Sequence, residues 1–198
     1  MSRAEKNDTT RQRLLEIGIT LFSRCGYHGT GIKEIVDLAE IPKGSFYNYF
    51  KSKEDFGIEI IRYHFEDFWQ KWHQSFDNKA SDSLHALENC FLTLLETHVD
   101  CSAKTFFVVA LIAAEICETS ETCRNTMSNI IDKMRSNLAV HIQKAQQDGF
   151  ARIDIDAKDM AILFWDAWLG SIIRMKITKD LTPIRQCVTH FFGELFKA

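Results

Sequence analysis

Apolar side chains recur every three or four residues along nearly the whole chain, which is the spacing of a helix face and not the alternation of a strand. The first such face runs from Leu14 to Cys25, with Thr9 and Thr10 as candidate caps and Gly26 as the predicted end. Nine glycines and two prolines supply little turn material for an all-β fold. The pattern therefore predicts an all-α protein.

Two short helices are predicted after the first. Thr30 precedes a short apolar stretch and is a candidate cap for the second helix. Pro42 stands at the start of a third helix over 43–50, in which Phe46 and Phe50 form the buried face. Two short helices joined by a tight turn are typical of a DNA-binding helix-turn-helix.

Longer helices are predicted for the rest of the chain. They span 53–78, 82–99, 106–118, 121–148, 156–179 and 183–197, with Ser52 and Pro183 at helix starts, 79–83 as a loop and Gly149 as a stop. The longest apolar run, 106–114, has nine residues, whereas a membrane-spanning helix needs about 20. The polar start of the chain shows no signal peptide, so we expect no membrane partner and a cytoplasmic location.

The charge is balanced overall but locally basic. A formal net charge of −3 argues against a uniformly basic nucleic-acid-binding surface. Within this balance, residues 41–53 carry Lys43, Lys51 and Lys53 and no acidic side chain. A local patch is enough for contacts with phosphates, and this one coincides with the predicted third helix.

The same segment carries a specific motif. From Lys43 to Glu54 the chain reads Lys-Gly-Ser-Phe-Tyr-Asn-Tyr-Phe-Lys-Ser-Lys-Glu. Together with the preceding residues from Thr30, it closely resembles the N-terminal domain of the tetracycline-repressor (TetR) family of bacterial transcriptional regulators, over about residues 9–57. The family usually has glycine where this chain has Glu40, so Glu40 is strained if its φ is positive.

The resemblance implies a DNA-binding domain over 1–52 and a helical effector-binding and dimerisation domain over 53–198. Thr30 would contact phosphate, Lys43 the edge of a guanine and Asn48 that of an adenine. The other groove or phosphate contacts would come from Gly44, Ser45, Tyr47, Tyr49 and Lys53. For the two tyrosines, half-buried packing is the alternative.

The resemblance also implies a homodimer built from the last two long helices. The residues expected at this interface are Phe164, Trp168, Ile172, Ile184, Val188, Phe191 and Leu195. The same apolar stripes equally fit the core of their own subunit. A dimer would present two third helices to an operator with an inverted repeat.

A small-molecule effector is implied for the larger domain. Candidate pocket residues are Trp69, Trp72, Phe106, Phe107, Ile116, Met134 and Trp165, although aromatic stripes are more often core than pocket. Six cysteines without a CxxC motif indicate reduced thiols. Cys101 and Cys117 lie near predicted helix ends and are candidate sensors of oxidants or electrophiles, with a buried apolar thiol as the alternative.

Other function classes find little support in the sequence. It contains no nucleophile-elbow, zinc-protease, Walker or dinucleotide-binding motif, so we expect no enzymatic activity, no cofactor and no metal. We expect a ligand-responsive DNA-binding regulator, with repression as the usual mode of the family. The alternatives are an all-helical enzyme, for which no residues argue, and a protein-binding adaptor, which the basic patch disfavours.

Overall fold

The computed structural model describes residues 3–76, 83–96, 109 and 112–198, and these residues are mainly helical. The helices are α1 (Arg3–Gly29), α2 (Ile32–Leu38), α3 (Lys43–Phe46), α4 (Lys53–Phe76), α5 (Ser83–Glu96), α6 (112–117), α7 (Glu121–Gln147), α8 (Ala157–Thr178) and α9 (Thr182–His190). Extended pairing in this part of the chain is limited to one isolated bridge between Ala151 and Lys197. The all-α prediction is confirmed. None of the described helices is long and apolar enough to cross a bilayer.

The first helix differs from its prediction at one end. It begins at Arg3, so Thr9 and Thr10 lie inside the helix and the prediction that they cap it was wrong. At the other end, Gly26 has φ 74° and ψ 170°, which interrupts the helical geometry before a last turn reaches Gly29. Glycine adopts this left-handed φ without steric cost, so the predicted stop at Gly26 is confirmed.

The third helix is shorter than predicted. Its α-helical part is Lys43–Phe46, whereas the sequence predicted 43–50. Beyond it, the Asn48 amide donates to the Ser45 carbonyl at 3.2 Å, and the next two amides both donate to the Phe46 carbonyl. The first two of these bonds are of the i→i+3 type and the third spans four residues. Together they make tight turns, which carry the outer face of α3 onward past its last helical residue.

Several other helix ends agree with the sequence. The Ser52 hydroxyl accepts a hydrogen bond from the Asp55 amide at 3.0 Å and so caps α4, as predicted. Gly149 has φ 80° just after α7 and provides the expected stop. Pro183 lies in the first turn of α9, but this helix ends at His190, and the chain continues as a π-helical turn (Phe191–Leu195) where the prediction extended the α-helix to 197.

The chain divides into two compact units. One contains 1–68 and 101–127, and the other contains 69–100 and 128–198. The helix α6 and the start of α7 therefore belong to the same unit as α1, α2, α3 and most of α4. The functional boundary between 52 and 53 remains a prediction. The predicted loop over 79–83 lies outside the described residues except for Ser83, which begins α5.

Each unit has its own buried core. In the first unit the buried aromatic side chains include Phe22, Phe46, Phe50 and Phe56. In the second, the ring of Phe91 in α5 lies 4.8 Å from that of Phe164 and 4.9 Å from that of Trp168, both in α8. Such aromatic pairs contribute about 0.5–1.5 kcal/mol beyond burial, so this cluster holds α5 and α8 together.

Candidate nucleic-acid interface

The third helix packs on the core through two aromatic side chains and exposes polar groups on its opposite face. Phe46 and Phe50 are fully buried, and their ring centroids lie 5.3 Å and 4.7 Å from that of Phe56 in α4. This packing fixes the opposite face in space. Its exposed or half-exposed residues are Lys43, Gly44, Ser45, Tyr47 and Asn48. Apart from its own helix and chain neighbours, no described residue places a heavy atom within 4 Å of a Cβ built on Gly44, so a base edge or phosphate could come close to the backbone there.

The turn between α2 and α3 contains Glu40 in the left-handed region. Its φ is 50°, which confirms the conformation that the missing glycine indicated. The Ile41 amide donates to the Val36 carbonyl at 3.1 Å and closes the turn. The Glu40 carboxylate lies 3.7 Å from the Arg13 guanidinium on the surface, where an ion pair contributes little. The chain therefore keeps the tight turn of a helix-turn-helix at some cost in backbone strain.

Thr30 does not take the role expected of it. Gly31, and not Thr30, is the N-cap of α2, and no side-chain hydrogen bond caps this helix. The Thr30 side chain is 1% exposed, and its hydroxyl donates to the Gly26 carbonyl at 2.9 Å. Its amide donates to the Tyr27 carbonyl. The structure corrects both expectations for Thr30, because the cap and the phosphate contact require groups that are already committed within the domain.

Lys53 is also engaged inside the domain. Its ammonium lies 4.4 Å from the centroid of the Tyr27 ring, a cation–π geometry. Partial burial lowers the pKa of Lys53, while the nearby Glu115 carboxylate opposes that shift. Lys51, two residues earlier, has an exposed side chain. A contact between Lys53 and phosphate would have to compete with the Tyr27 ring.

The two tyrosines of the motif differ in exposure. Tyr47 is exposed, and its ring meets that of Phe46 edge-on at 5.5 Å between centroids. Tyr49 is half-buried, with its ring centroid 6.3 Å from that of Phe50. Both rings therefore pack on the core while leaving part of each side chain at the surface.

Sequence reasoning missed the contacts that α6 makes with α1. The Glu115 carboxylate accepts hydrogen bonds from the amides of Tyr27 at 3.0 Å and His28 at 3.3 Å. These amides directly follow the break in helical geometry at Gly26. The partners are 88 and 87 residues apart in the chain, so no local pattern could have indicated them.

The corner between α6 and α7 is attached to α4 as well. The Ser120 hydroxyl donates to the Glu54 carboxylate at 2.6 Å and accepts from the Cys123 amide at 3.0 Å, which caps α7. Ile116 packs beside Gly57, since a Cβ built on that glycine would lie 2.6 Å from the Ile116 Cδ1. Ile116 is therefore buried beside Gly57, and its place in a ligand pocket stays a prediction.

The other candidates for the ligand pocket differ in burial, and two of them lie outside the described residues. Phe106 and Phe107 lie outside the described residues. Trp72, Met134 and Trp165 are buried in the second unit, and Trp69 is half-buried with the Lys133 ammonium 4.2 Å from its ring centroid. The buried Trp165 Nε1 has no hydrogen-bond partner among the residues that the structure describes.

Most of the expected dimer-interface residues are buried in their own chain. The five buried residues are Phe164, Trp168, Ile172, Ile184 and Val188. Phe191 is half-buried against Phe164, and Leu195 alone of the seven is exposed. For these five the structure shows packing in their own subunit, which is the alternative that the sequence left open, and their place at a dimer interface stays a prediction. The exposed apolar side chains of α8 are instead Ile162, Leu163, Ile173 and Ile177.

The cysteines are also only partly as expected. Cys101 lies outside the described residues. Cys117, at the end of α6, is half-exposed, and its Sγ lies 3.2 Å from that of the buried Cys123. The sequence places both cysteines at the turn between two helices, but their contact depends on the angle at which α7 leaves α6.

The chain matches models of two protein domains. The model described as bacterial regulatory proteins of the tetR family matches residues 14–60, and the tetracyclin repressor-like C-terminal domain matches 89–191. The transcriptional repressor DhaR of Mycobacterium sp. (strain GP1) is 30% identical over 93% of this chain and 91% of its own. The repressor NemR of Escherichia coli (strain K12) is 27% identical over 96% of this chain and 95% of its own.

Solved structures agree with these matches. The regulatory protein TetR from Rhodobacter sphaeroides has a TM-score of 0.83 at 27% identity, covering 93% of this chain and 97% of that one. The reduced form of E. coli NemR has the same fold, with a TM-score of 0.81 at 23% identity, covering 96% and 97%. The two domain models match, and α3 has the buried aromatic side chains and the exposed polar face described above. The chain therefore belongs to the TetR family of bacterial transcriptional regulators.

Proposed function

We propose that the chain is a homodimeric repressor that binds an inverted-repeat operator through α3 of each copy and leaves it when a small molecule binds the second unit. The observation that carries the proposal is the exposed polar face of α3, which the buried side chains of Phe46 and Phe50 hold in place. The naming of DhaR and NemR as transcriptional repressors supports the direction of regulation. Such a protein acts on the chromosome in the cytoplasm, and the proposal gives it no enzymatic activity.

Individual contacts follow from the chemistry of the exposed groups. Lys43 donates to the acceptor atoms of a guanine edge, and Asn48 pairs with an adenine edge. Ser45 and Tyr47 add polar contacts in the groove, and Tyr49 reaches phosphate at its margin. Lys53 adds a phosphate contact only after leaving the Tyr27 ring, and Thr30 is no longer included.

The homodimer is proposed to form through the outer face of α8. Leu163, Ile173 and Ile177 are 54%, 50% and 75% exposed, which is high for large aliphatic side chains at helical spacing. Gly170 lies between them, and a Cβ built on it meets nothing within 4 Å. A second copy of the same face would bury this stripe around a two-fold axis.

The effector site is proposed near Trp165, with Trp69, Trp72 and Met134 as further candidates. A buried indole N–H without a partner is unusual, and an acceptor atom on a ligand would satisfy it. The proposed effector is therefore a largely apolar small molecule that carries a hydrogen-bond acceptor.

Fluorescence anisotropy with a labelled duplex, enriched from a random library by the purified protein, tests the assignment of α3. We expect Lys43→Ala to weaken binding by about 1–3 kcal/mol and to relax the sequence preference, because a base contact is lost. Lys144→Ala is the matched control, since this exposed lysine lies in the second unit and pairs with Asp148 at 3.0 Å on its own helix. Equal binding by the two variants would contradict the proposal.

A further inference from the structure

Two thiols lie side by side at the corner between α6 and α7. The Sγ atoms of Cys117 and Cys123 are 3.2 Å apart, and both cysteines are free. A disulfide has an S–S distance of about 2.0 Å, so an approach of roughly 1 Å would join them. Cys117 is half-exposed and Cys123 is buried. One thiol of the pair is therefore open to small reagents while the other is shielded.

The corner holds both cysteines in place through their backbones. The Cys117 carbonyl accepts a hydrogen bond from the Arg124 guanidinium at 2.7 Å. The Cys123 amide donates to the Ser120 hydroxyl at 3.0 Å. Because the two thiols are held close in the reduced protein, little chain entropy is lost when they are linked.

We propose that Cys117 and Cys123 form a reversible dithiol–disulfide switch that is oxidised by hydroperoxides. The Cys117 thiol releases its proton to solvent, and the thiolate attacks the peroxide O–O bond. The sulfur takes the terminal hydroxyl and becomes a sulfenic acid, while the other oxygen takes up a proton and leaves as water or an alcohol. The Cys123 sulfur then attacks the Cys117 sulfur and forms the S–S bond, and the Cys123 proton leaves with the sulfenic hydroxyl as water. Two electrons pass from the two thiols to one peroxide, and a dithiol reductant reverses the reaction.

The environment assigns the order of the two steps. Burial, followed by the hydrogen bond and charge of Cys117, raises the pKa of the Cys123 thiol to about 12. Cys123 therefore stays protonated in the reduced protein and is not the thiol that meets the oxidant first. Conversion of Cys117 to a neutral sulfenic acid removes the negative charge beside Cys123, which favours ionisation of the Cys123 thiol for the second step.

The corner also links the thiols to the DNA-binding helices, and this step rests on the proposed function. Ser120 joins the start of α7 to Glu54 in α4, while Glu115 joins α6 to the end of α1. Closing the disulfide draws α6 and the first turn of α7 together and changes these contacts. We expect the oxidised protein to bind the operator about tenfold more weakly, within the usual range of coupling between sites.

Peptide mass spectrometry of the full chain tests the pair directly. Trypsin cleaves after Lys104 and Arg124, and the resulting peptide 105–124 contains these two cysteines and no other. After titration with hydrogen peroxide, we expect this peptide to be two hydrogen atoms lighter and to take up no alkylating label. Dithiothreitol should restore both thiols. A peptide that keeps two alkylatable thiols while the exposed Cys25 is oxidised would overturn the proposal.

Anisotropy with the enriched duplex tests the consequence. The wild-type protein should lose affinity on peroxide treatment and regain it with dithiothreitol. Cys117→Ser and Cys123→Ser should each abolish the reversible loss, whereas Cys25→Ser should behave as the wild type. A disulfide that forms without changing affinity would overturn the switch. If the reduced protein binds no duplex, the proposed function fails, and the peptide measurement still decides whether the pair exists.

Discussion

Thr30 shows how a residue in a family motif can serve the fold and not the ligand. Its hydroxyl donates to the Gly26 carbonyl, which is freed by the break at the end of α1. We expect Thr30→Val to lower the free energy of unfolding by about 1 kcal/mol, because the buried carbonyl loses its donor. The affinity for the enriched duplex should not change. Chemical denaturation and anisotropy measure the two effects, and a loss of affinity at unchanged stability would restore the phosphate contact.

His141 gives the second unit a pH dependence. Burial, with a smaller contribution from His73, lowers the pKa of His141 below its ordinary value of 6.5. Below pH 6.5 the unfolded chain therefore binds more protons than the folded one, so the free energy of unfolding falls as the pH falls through the folded pKa. We expect His141→Gln to reduce this loss between about pH 7.5 and about pH 5.5. An unchanged pH profile in denaturant titrations would contradict the assignment.

Single residues were predictable where backbone geometry or burial decides their role. The burial of Phe46 and Phe50 and the Ser52 cap followed from local pattern. For Glu40 the sequence indicated only that a positive φ would bring strain, and the structure supplies the φ of 50°. The roles of Thr30 and Lys53 did not follow from local pattern. Thr30 turns its hydroxyl to the Gly26 carbonyl, and Lys53 places its ammonium over the Tyr27 ring, and both contacts depend on the direction of a side chain in the folded domain.

At the scale of elements, the contact between α6 and α1 is open to test. Glu115→Ala leaves the Tyr27 and His28 amides without their charged acceptor, so we expect a loss of about 1–3 kcal/mol in the free energy of unfolding. Glu115→Gln keeps an acceptor oxygen and should recover part of the loss. Glu118→Ala, at an exposed position one turn later, is the control and should unfold like the wild type. Equal destabilisation by Ala at both positions would contradict the role of Glu115.

Helices were easier to predict than their packing. Periodicity and the signals at Gly26, Gly149 and Pro183 placed most helix ends within a few residues. The short length of α3 and the π-helical turn after α9 were not predicted, because the apolar spacing of a sequence does not distinguish i→i+3 and i→i+5 hydrogen bonds from those of an α-helix. The apolar stripe of α8 was recognised, but the sequence could not say which side of it Phe91 and Phe192 would cover.

At the scale of the whole molecule, the proposed dimer depends on the exposed stripe of α8. We expect Leu163→Asp and Ile177→Asp each to shift sedimentation from dimer to monomer, because dimerisation would have to bury the new carboxylate without a partner. Ile153→Asp is the control, since Ile153 is exposed in the loop before α8 and lies outside the stripe. Dissociation by the control, or by none of the three, would contradict the assignment of this face.

The fold class and the family were predictable because a short, specific motif and an unbroken helical pattern carry them. The division into units was not predictable, because α6 and the start of α7 pack with α1 and α4 over a long separation in the chain. That return is what attaches the corner of Cys117 and Cys123 to the DNA-binding helices.

The most direct test of the central claim is selection of bound sequences from a random duplex library by the reduced, folded protein at near-physiological salt. Two copies of α3 related by a two-fold axis should enrich an inverted repeat whose half-sites lie about one helical turn apart or a multiple of it. The Leu163→Asp variant should enrich single half-sites or nothing. No enrichment by the wild-type protein, or enrichment of an asymmetric site by a confirmed dimer, would contradict the account.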